Sequence, residues 1–177
     1  MANLPVPSPR TFQVSEVETG AYQNSVRDGL NFLLNPPDLL ITQTVAQTFT
    51  TAVSAVMTFN STTIDTYGMH SNVTNNSRAT AQVAGTYFFK GNPLWVSNGA
   101  GGRTCSLFKN GAQIPTSFVV FPAAGVAYAA MGIECCSMVV MAVGDYVELS
   151  AGQDSGGNLN SYVASPVPNL QGWFMHA

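Results

Sequence analysis

A glycine-rich loop at residues 98–103, NGAGGR, is the first segment whose residue types suggest chemistry, because backbone amides in such loops can cradle a phosphate. A phosphate cradle needs a helix after the loop and a Lys-Ser/Thr pair, and this loop has neither. The residues that follow, RTCSLF, have the pattern of a strand. The loop therefore predicts a turn in which glycine supplies a positive φ. Asn110-Gly111 predicts a second turn, of the hairpin type.

Acidic residues and histidines offer little for catalysis. The chain has two histidines, His70 and His176, and nine acidic residues. No G-x-S-x-G elbow presents a serine nucleophile. With nine acidic residues, some two carboxylates will lie near each other in any fold. Such a pair is therefore weak evidence for glycoside cleavage. An aspartate–histidine metal site drawing on Asp65, His70 or Asp154 is a minor alternative. We expect a protein that is not an enzyme and that has no catalytic, metal or cofactor site.

The three cysteines are Cys105, Cys135 and Cys136. Neighbours in a strand point to opposite faces, so Cys135 and Cys136 are poorly placed to bond each other. A disulfide from Cys105 to either of them stays geometrically open. No Cys/His spacing indicates zinc. We expect all three thiols to be reduced, with the inward ones acting as small core residues.

Aromatic side chains near predicted loops could stack on a sugar ring. Trp95, Trp173, Tyr67 and Tyr128 are the candidates. The alternative is packing in a core or an interface, which the position of both tryptophans within predicted strands favours.

Charge is scarce throughout the chain. Charged residues are 8% of the total, against roughly 25% in ordinary soluble domains. Such a surface is cheap to desolvate and suits burial against other subunits. The net charge of -3, with six scattered basic residues, gives no footprint for nucleic acid. No apolar run is long enough to span a membrane, and the first residues do not read as a secretory signal. We expect synthesis in the cytoplasm of the producing cell.

Residues 15–34 predict one amphipathic helix. Tyr22, Val26, Leu30 and Leu33 recur at helical spacing and form an apolar stripe. Asn35-Pro36-Pro37 then ends the helix. A helix this short is marginal by itself in water. Its stripe must be covered by the rest of the chain, by other copies or by a partner.

From residue 38 onward the pattern changes to short β-branched and aromatic runs. Gly, Pro and Asn interrupt these runs about every 8–12 residues, as is typical of an antiparallel sandwich or barrel. The chain therefore divides into an N-terminal arm and helix, 1–37, and a β domain, 38–177.

Five elements in the β region, in this order, resemble the C1q/TNF-like jelly rolls. They are Gly85, Tyr87 and Phe89; Trp95, Asn98, Gly101 or Gly102, and Arg103; Leu107, Lys109, Asn110, Gly111 and Ile114; Gly144, Asp145, Tyr146, Val147, Glu148 and Leu149; and Gln153, Ser155, Gly156 and Gly157. The resemblance covers roughly 45–177 and places the family's first strand at Thr58-Phe59-Asn60. It implies an all-β jelly-roll sandwich that assembles as a homotrimer.

A nearly uncharged run, 127–143, fits such a trimer, because strands around a three-fold axis lose solvent on both faces. Met131, Ile133, Met138 and Val140 in this run are the predicted trimer interface. The alternative is the buried centre of a monomeric sandwich.

The N-terminal residues, from Pro9-Arg10-Thr11-Phe12 through the helix to Pro37, resemble the opening of small virion proteins of tailed bacteriophages. This resemblance implies a structural virion protein, with the helix stripe as its particle anchor and other virion proteins as partners. We expect a minor tail protein. The alternatives are a capsid decoration or head-fibre protein, and a module that binds host-surface glycan through loops 61–79 and 98–103. The helix could instead fold back onto its own β domain.

Overall fold

The computed structural model describes residues 20–123 and 130–177. The elements, in chain order, are α1 (Gly20–Leu34), β1 (Asp38–Thr42), β2 (Thr48–Phe49), β3 (Ala55–Val56), β4 (Ser61–Asp65), β5 (Arg78–Thr80), β6 (Gly85–Asn92), β7 (Leu94–Val96), β8 (Gly102–Lys109), β9 (Ala112–Gln113), a 3-10 turn (Pro115–Ser117), β10 (Val119–Pro122), β11 (Ala130–Gly132), β12 (Cys135–Met141), β13 (Tyr146–Gln153), β14 (Leu159–Asn160) and β15 (Asn169–His176).

Two antiparallel sheets form a sandwich. Sheet I has the strand order β12-β6-β15-β1-β4, and sheet II has the order β10-β8-β13-β3, with β5 and β9 paired to its central strands. Several neighbouring strands are far apart in sequence, such as β1 and β15 or β6 and β12, as jelly-roll connections require. The all-β jelly-roll prediction is confirmed.

The core lies between the two sheets, and strand alternation builds it. Burial on β12 alternates residue by residue, so Cys135, Val139 and Met141 point inward. The sheets approach closely where a glycine faces a large side chain: a Cβ placed on Gly91 of sheet I would lie 2.5 Å from Leu149 Cδ1 of sheet II. Within a single chain, therefore, only one face of β12, the described strand of the run 127–143, is buried.

The first strand of the sandwich differs from the sequence expectation. Thr58-Phe59-Asn60 lies between β3 and β4, although Phe59 itself is fully buried. Its backbone N–H pairs with an irregular segment, donating to the Asn76 carbonyl at 2.8 Å. The sandwich begins instead at β1, which inserts between β15 and β4. The pattern of one segment predicts that it is extended but not which segment it pairs with. Phe59 pairs with an irregular segment, so residues 58–60 do not form a strand of either sheet.

The helix and both predicted turns are confirmed. α1 ends at Leu34, just before the two prolines, while the expected start at residues 15–19 lies outside the described part of the chain. Gly101 has φ +67°, and the Asn110-Gly111 turn has φ 49° and 80°. Both glycines thus adopt the left-handed backbone that other residues disfavour.

Several residues of the jelly-roll resemblance hold turns together. Asn110 Nδ2 donates to Asp145 Oδ1 at 2.7 Å, and Tyr146 N–H donates to Asn110 Oδ1 at 2.9 Å. Lys109 lies 2.8 Å from the other oxygen of Asp145. The bonds that the Asp145 carboxylate accepts from Lys109, from Asn110 and from the Ala142 N–H, that of Lys109 first, lower the pKa of Asp145 to about 2. The turn at Lys109-Asn110-Gly111 and the turn at Gly144-Asp145 therefore stabilise each other.

The sandwich has two distinct ends. The proximal end carries α1, because Phe32 packs on Phe174 beside the start of β6. The distal end carries loop 98–103 and the end of β13, where Arg103 pairs with Gln153.

Candidate functional site

An apolar surface covers the outer side of sheet I. Met138 and Val140 alternate with buried neighbours on β12 and are 58% and 71% exposed. Met138 pairs with Phe88 on β6, and Phe88 pairs with Trp173 on β15. Directly paired residues of antiparallel strands lie on one face. The three side chains therefore form a row across the exposed face of the sheet.

The surface continues toward the other edge of the sheet. Phe88 and Trp173 lie with ring centroids 5.8 Å apart. Leu40 on β1 pairs with the exposed Ile64 on β4. A solvated sheet face normally carries polar residues, and this one carries the apolar row of Met138, Phe88 and Trp173 beside the polar Lys90 and Gln171. We call this set the outer face of sheet I: Leu40, Ile64, Phe88, Met138, Val140 and Trp173.

Two of the four predicted interface residues lie elsewhere. Met131 on β11 pairs opposite Trp95 and packs against the core. Ile133 belongs to the core and is 7% exposed. The structure thus brings only Met138 and Val140 onto one exposed surface, because the chain passes from the β7–β11 pair into sheet I at residues 133–134. The interface role of all four residues stays a prediction.

Three of the four residues of the helix stripe are exposed. Val26, Leu30 and Leu33 are 43%, 54% and 74% exposed, while Tyr22 is half-buried. Phe32 is 6% exposed and packs edge-on against Phe174, with centroids 5.1 Å apart. It lies about 120° around the helix from Val26. The helix is thus attached to its own sandwich through a residue outside the predicted stripe, and Val26, Leu30 and Leu33 remain exposed.

An apolar groove of about 480 Å³ lies where α1 meets the end of β15. Leu33 and Phe32 form its helix side, and Phe174 and Met175 form its sheet side. Met175 is 52% exposed. The groove places exposed apolar residues of the helix and of β15 side by side at the proximal end.

The polar candidates from the sequence serve structure. The Asp65 carboxylate accepts the backbone N–H groups of Met69 and His70, at 2.8 and 3.0 Å, and does not face the imidazole. His70 Nδ1 lies 2.9 Å from the Arg78 carbonyl. Across residues 20–123 and 130–177, no group of three His, Cys, Asp or Glu side chains is placed to hold a metal ion. In the same ranges no helix has the length and apolar character to cross a membrane.

Trp95 is buried and packs against Phe49, with ring centroids 6.2 Å apart, so it presents no face to a sugar. Arg103, also fully buried, lies over the Trp95 ring with its guanidinium carbon 6.0 Å from the centroid. Tyr67 packs against Phe32, and Tyr128 lies outside the described residues. Among these aromatics Trp173 is the exposed one, on the outer face of sheet I.

Arg103 stabilises the glycine-rich loop from inside. Its guanidinium donates to the carbonyls of Asn98, Ala100 and Gly102, at 2.8, 3.1 and 2.8 Å. Burial lowers the pKa of this group, and the nearby Asp154 carboxylate acts in the opposite direction. The arginine that the sequence placed at the end of a turn thus holds that turn closed.

The three thiols are free. Cys105 and Cys135 are buried in the core on opposite sheets, and Cys136 is exposed. A hydrogen bond to Cys135 and burial together raise the pKa of the Cys105 thiol. The inward cysteines therefore act as small core residues, as expected.

Comparison with known proteins defines the fold class. No protein-family model matches the chain, and no curated protein matches it. The structure is similar to the globular domain of zebrafish complement 1qA protein, at 14% identity and a TM-score of 0.52, over 79% of this chain and 98% of that one. It is similar to murine APRIL at pH 5.0, at 8% identity and a TM-score of 0.57, over 78% and 98%. At these identities the likeness shows the fold alone, and that fold is the C1q/TNF-like jelly roll.

Proposed function

We propose that this chain is a non-enzymatic structural module that assembles as a homotrimer through the outer face of sheet I. The exposed row of Met138, Phe88 and Trp173 at the centre of that face carries the proposal. C1q/TNF-like domains are typically homotrimers, and a three-fold arrangement lets each copy bury the same face.

A further copy of this chain is the best occupant of the face for two reasons. First, apolar burial contributes about 25 cal/mol per Å², and large exposed residues such as Val140 and Trp173 have most to gain from it. Second, the one lysine on this face is already paired: Lys90, in the row next to Phe88, lies 2.7 Å from Glu134. Apolar side chains with few charges are typical of the core of subunit interfaces.

Sedimentation equilibrium of the full chain at micromolar concentration tests this proposal. One chain has a mass of 18.7 kDa, so a trimer has three times that mass, about 56 kDa. We expect the larger value and no hydrolytic activity on model esters, peptides or glycosides. A mass of 18.7 kDa at all concentrations contradicts the proposal.

We further propose that the trimer is a component of a tailed-phage virion, most specifically a minor tail protein, anchored by its N-terminal helix. The resemblance of residues 9–37 to phage virion proteins supports this placement. So does the position of Leu30 and Leu33, exposed on a helix at the proximal end. A capsid decoration or head-fibre protein uses the same geometry and is the alternative.

The anchor is tested by placing charge on the stripe without disturbing the buried Phe32. We expect Leu30→Glu with Leu33→Glu to leave a folded protein of unchanged oligomeric state and to reduce its incorporation into particles at least tenfold. Both leucines are exposed, so folding loses little, whereas docking would bury two carboxylates. Incorporation is measured by quantitative blotting of purified particles after complementation.

The matched control is Asn24→Glu with Asn31→Glu, which adds the same charge at exposed positions on the opposite side of α1. It should incorporate normally. Equal incorporation of both double variants contradicts an anchoring role for the stripe.

Location on the particle separates the alternatives. Particles are labelled with an antibody to residues 38–177 and imaged by electron microscopy. Label at the tail supports a minor tail protein, and label on the shell supports a decoration or head-fibre protein. Unlabelled particles contradict the virion proposal, provided that the same antibody recognises the native purified chain.

A further inference from the structure

We propose that a small pocket at the distal end binds a neutral saccharide, one ring per chain. The pocket is about 180 Å³ and lies on the outer side of sheet II, between loop 51–54 and strands β8 and β10. Its walls include Val53, Ser54, Thr104, Val120 and Asp154. The volume is below the range usual for drug-sized ligands and suits a single sugar ring.

The floor of the pocket presents two hydroxyls. A Cβ placed on Gly152 would lie 2.6 Å from Ser54 Oγ and 2.6 Å from Thr104 Oγ1. Only glycine therefore lets both hydroxyls approach the strand here. Neither hydroxyl hydrogen-bonds to another described residue. Two hydroxyls that each donate and accept thus converge without a protein partner.

A carboxylate stands beside them. One oxygen of Asp154 accepts the N–H of Gly102, which fixes the side chain next to the glycine-rich loop. Within the described residues its second oxygen has no hydrogen-bond partner, and the residue is exposed. The loop turns tightly enough that a Cβ on Gly101 would collide with Asp154. The glycines therefore make room for an acceptor at the mouth of the pocket.

This set of groups selects a neutral, hydroxyl-rich ligand. Adjacent sugar hydroxyls can donate to Asp154 and exchange hydrogen bonds with Ser54 and Thr104, while the C–H face of the ring lies against Val53 and Val120. An anion is disfavoured, because the nearest cation, Arg103, is buried and donates to three loop carbonyls. Calcium takes six to eight oxygen ligands, and one carboxylate with two hydroxyls falls short.

The position of the pocket suits recognition of a surface. It lies at the opposite end from α1 and on the opposite sheet from the proposed trimer face. A trimer would present three pockets at once, which raises the avidity for a polyvalent glycan without any new contact. Binding by one chain does not depend on trimer assembly or on virion placement, so this inference stands separately from the proposed function.

The test is saturation-transfer NMR of the full chain with glucose, galactose, mannose, N-acetylglucosamine, N-acetylgalactosamine and rhamnose, each up to 50 mM. Glucuronate is tested in the same way, and calcium chloride is titrated by isothermal calorimetry, so that an anion site and a calcium site are each detectable. We expect at least one neutral sugar to bind in the millimolar range. Thr104→Val, which removes one hydroxyl at constant shape, and Asp154→Asn, which keeps an acceptor for Gly102, should each weaken that binding at least tenfold.

Thr74→Val is the control, because it removes an exposed hydroxyl outside the pocket, and it should bind as the parent chain does. No neutral sugar bound, binding of glucuronate or calcium only, or binding equal in all three variants overturns the proposal. The oligomeric state of each sample is measured by sedimentation, so loss of sugar binding is distinguished from failure of the trimer.

Discussion

Replacing Met138 and Val140 together with glutamate is expected to convert the trimer into a folded monomer. Both side chains are more than half exposed in the single chain, so the substitutions remove little from the core. In the trimer they would place six carboxylates in an apolar interface. Removing unpaired charges from water costs several kcal/mol each, and every 1.4 kcal/mol is a factor of ten in affinity. The dissociation constant should therefore rise at least a thousandfold.

The measurement is sedimentation equilibrium at 10 µM, with circular dichroism to confirm that the β fold is retained. The control is Val73→Glu, which adds one carboxylate at a valine that is 89% exposed in the segment between β4 and β5. It should remain trimeric. If the parent chain is a trimer and the double variant still sediments as a trimer, the interface lies elsewhere.

Replacing Arg103 with methionine is expected to lower the free energy of unfolding by about 2–4 kcal/mol. The guanidinium donates to three carbonyls of one loop. Hydrogen bonds to a charged group contribute roughly 1.5–3 kcal/mol each, and the loop carbonyls partly recover by binding water. Methionine preserves much of the length and the apolar stem but supplies no donor. The loop should open, and the Asp154 side of the distal end should lose order with it.

Urea unfolding at one fixed protein concentration measures the change, because oligomer dissociation makes apparent stability concentration-dependent. Arg27→Met is the control: Arg27 is exposed and, among the residues that the structure describes, pairs with the adjacent Asp28 at 3.0 Å. Exposed pairs contribute about 0–1 kcal/mol, so this variant should barely differ from the parent. If the Arg103 variant is as stable as the parent or more stable, the prediction is contradicted. The desolvation penalty of the buried guanidinium would then be at least as large as the stabilisation from its three hydrogen bonds.

Local patterns in the sequence were enough to predict the elements. The polar–apolar alternation of residues 103–108, the Asn110-Gly111 turn and the two prolines after α1 each depend on neighbouring residues. The order of the five jelly-roll elements added the fold class. The mutual bracing of Asn110 and Asp145 explains in retrospect why two of those elements go together.

Which surface each element presents was decided by tertiary structure. Met138 and Ile133 read alike in an apolar run, yet one is exposed on sheet I and the other is in the core. Phe32 lies outside the helical stripe and nevertheless attaches the helix, because Phe174, far along the chain, arrives beside it. A pattern within one segment carries no information about a partner so distant in sequence.

The distal pocket is the clearest case of a feature that tertiary structure decided and local sequence patterns did not. Ser54 lies fifty residues before Thr104, and Thr104 lies fifty residues before Asp154; none of them belongs to a motif that indicates saccharide binding. The pairing of β8 with β13 brings Thr104 opposite Gly152, and the missing side chain there admits Ser54. The sequence by itself determined the helix and the turns, because these follow from local spacing, and its resemblance to the C1q/TNF-like domains indicated the jelly roll. The exposed face of sheet I and the grouping of the pocket residues were decided only when the sheets paired, because strand register sets which distant side chains meet.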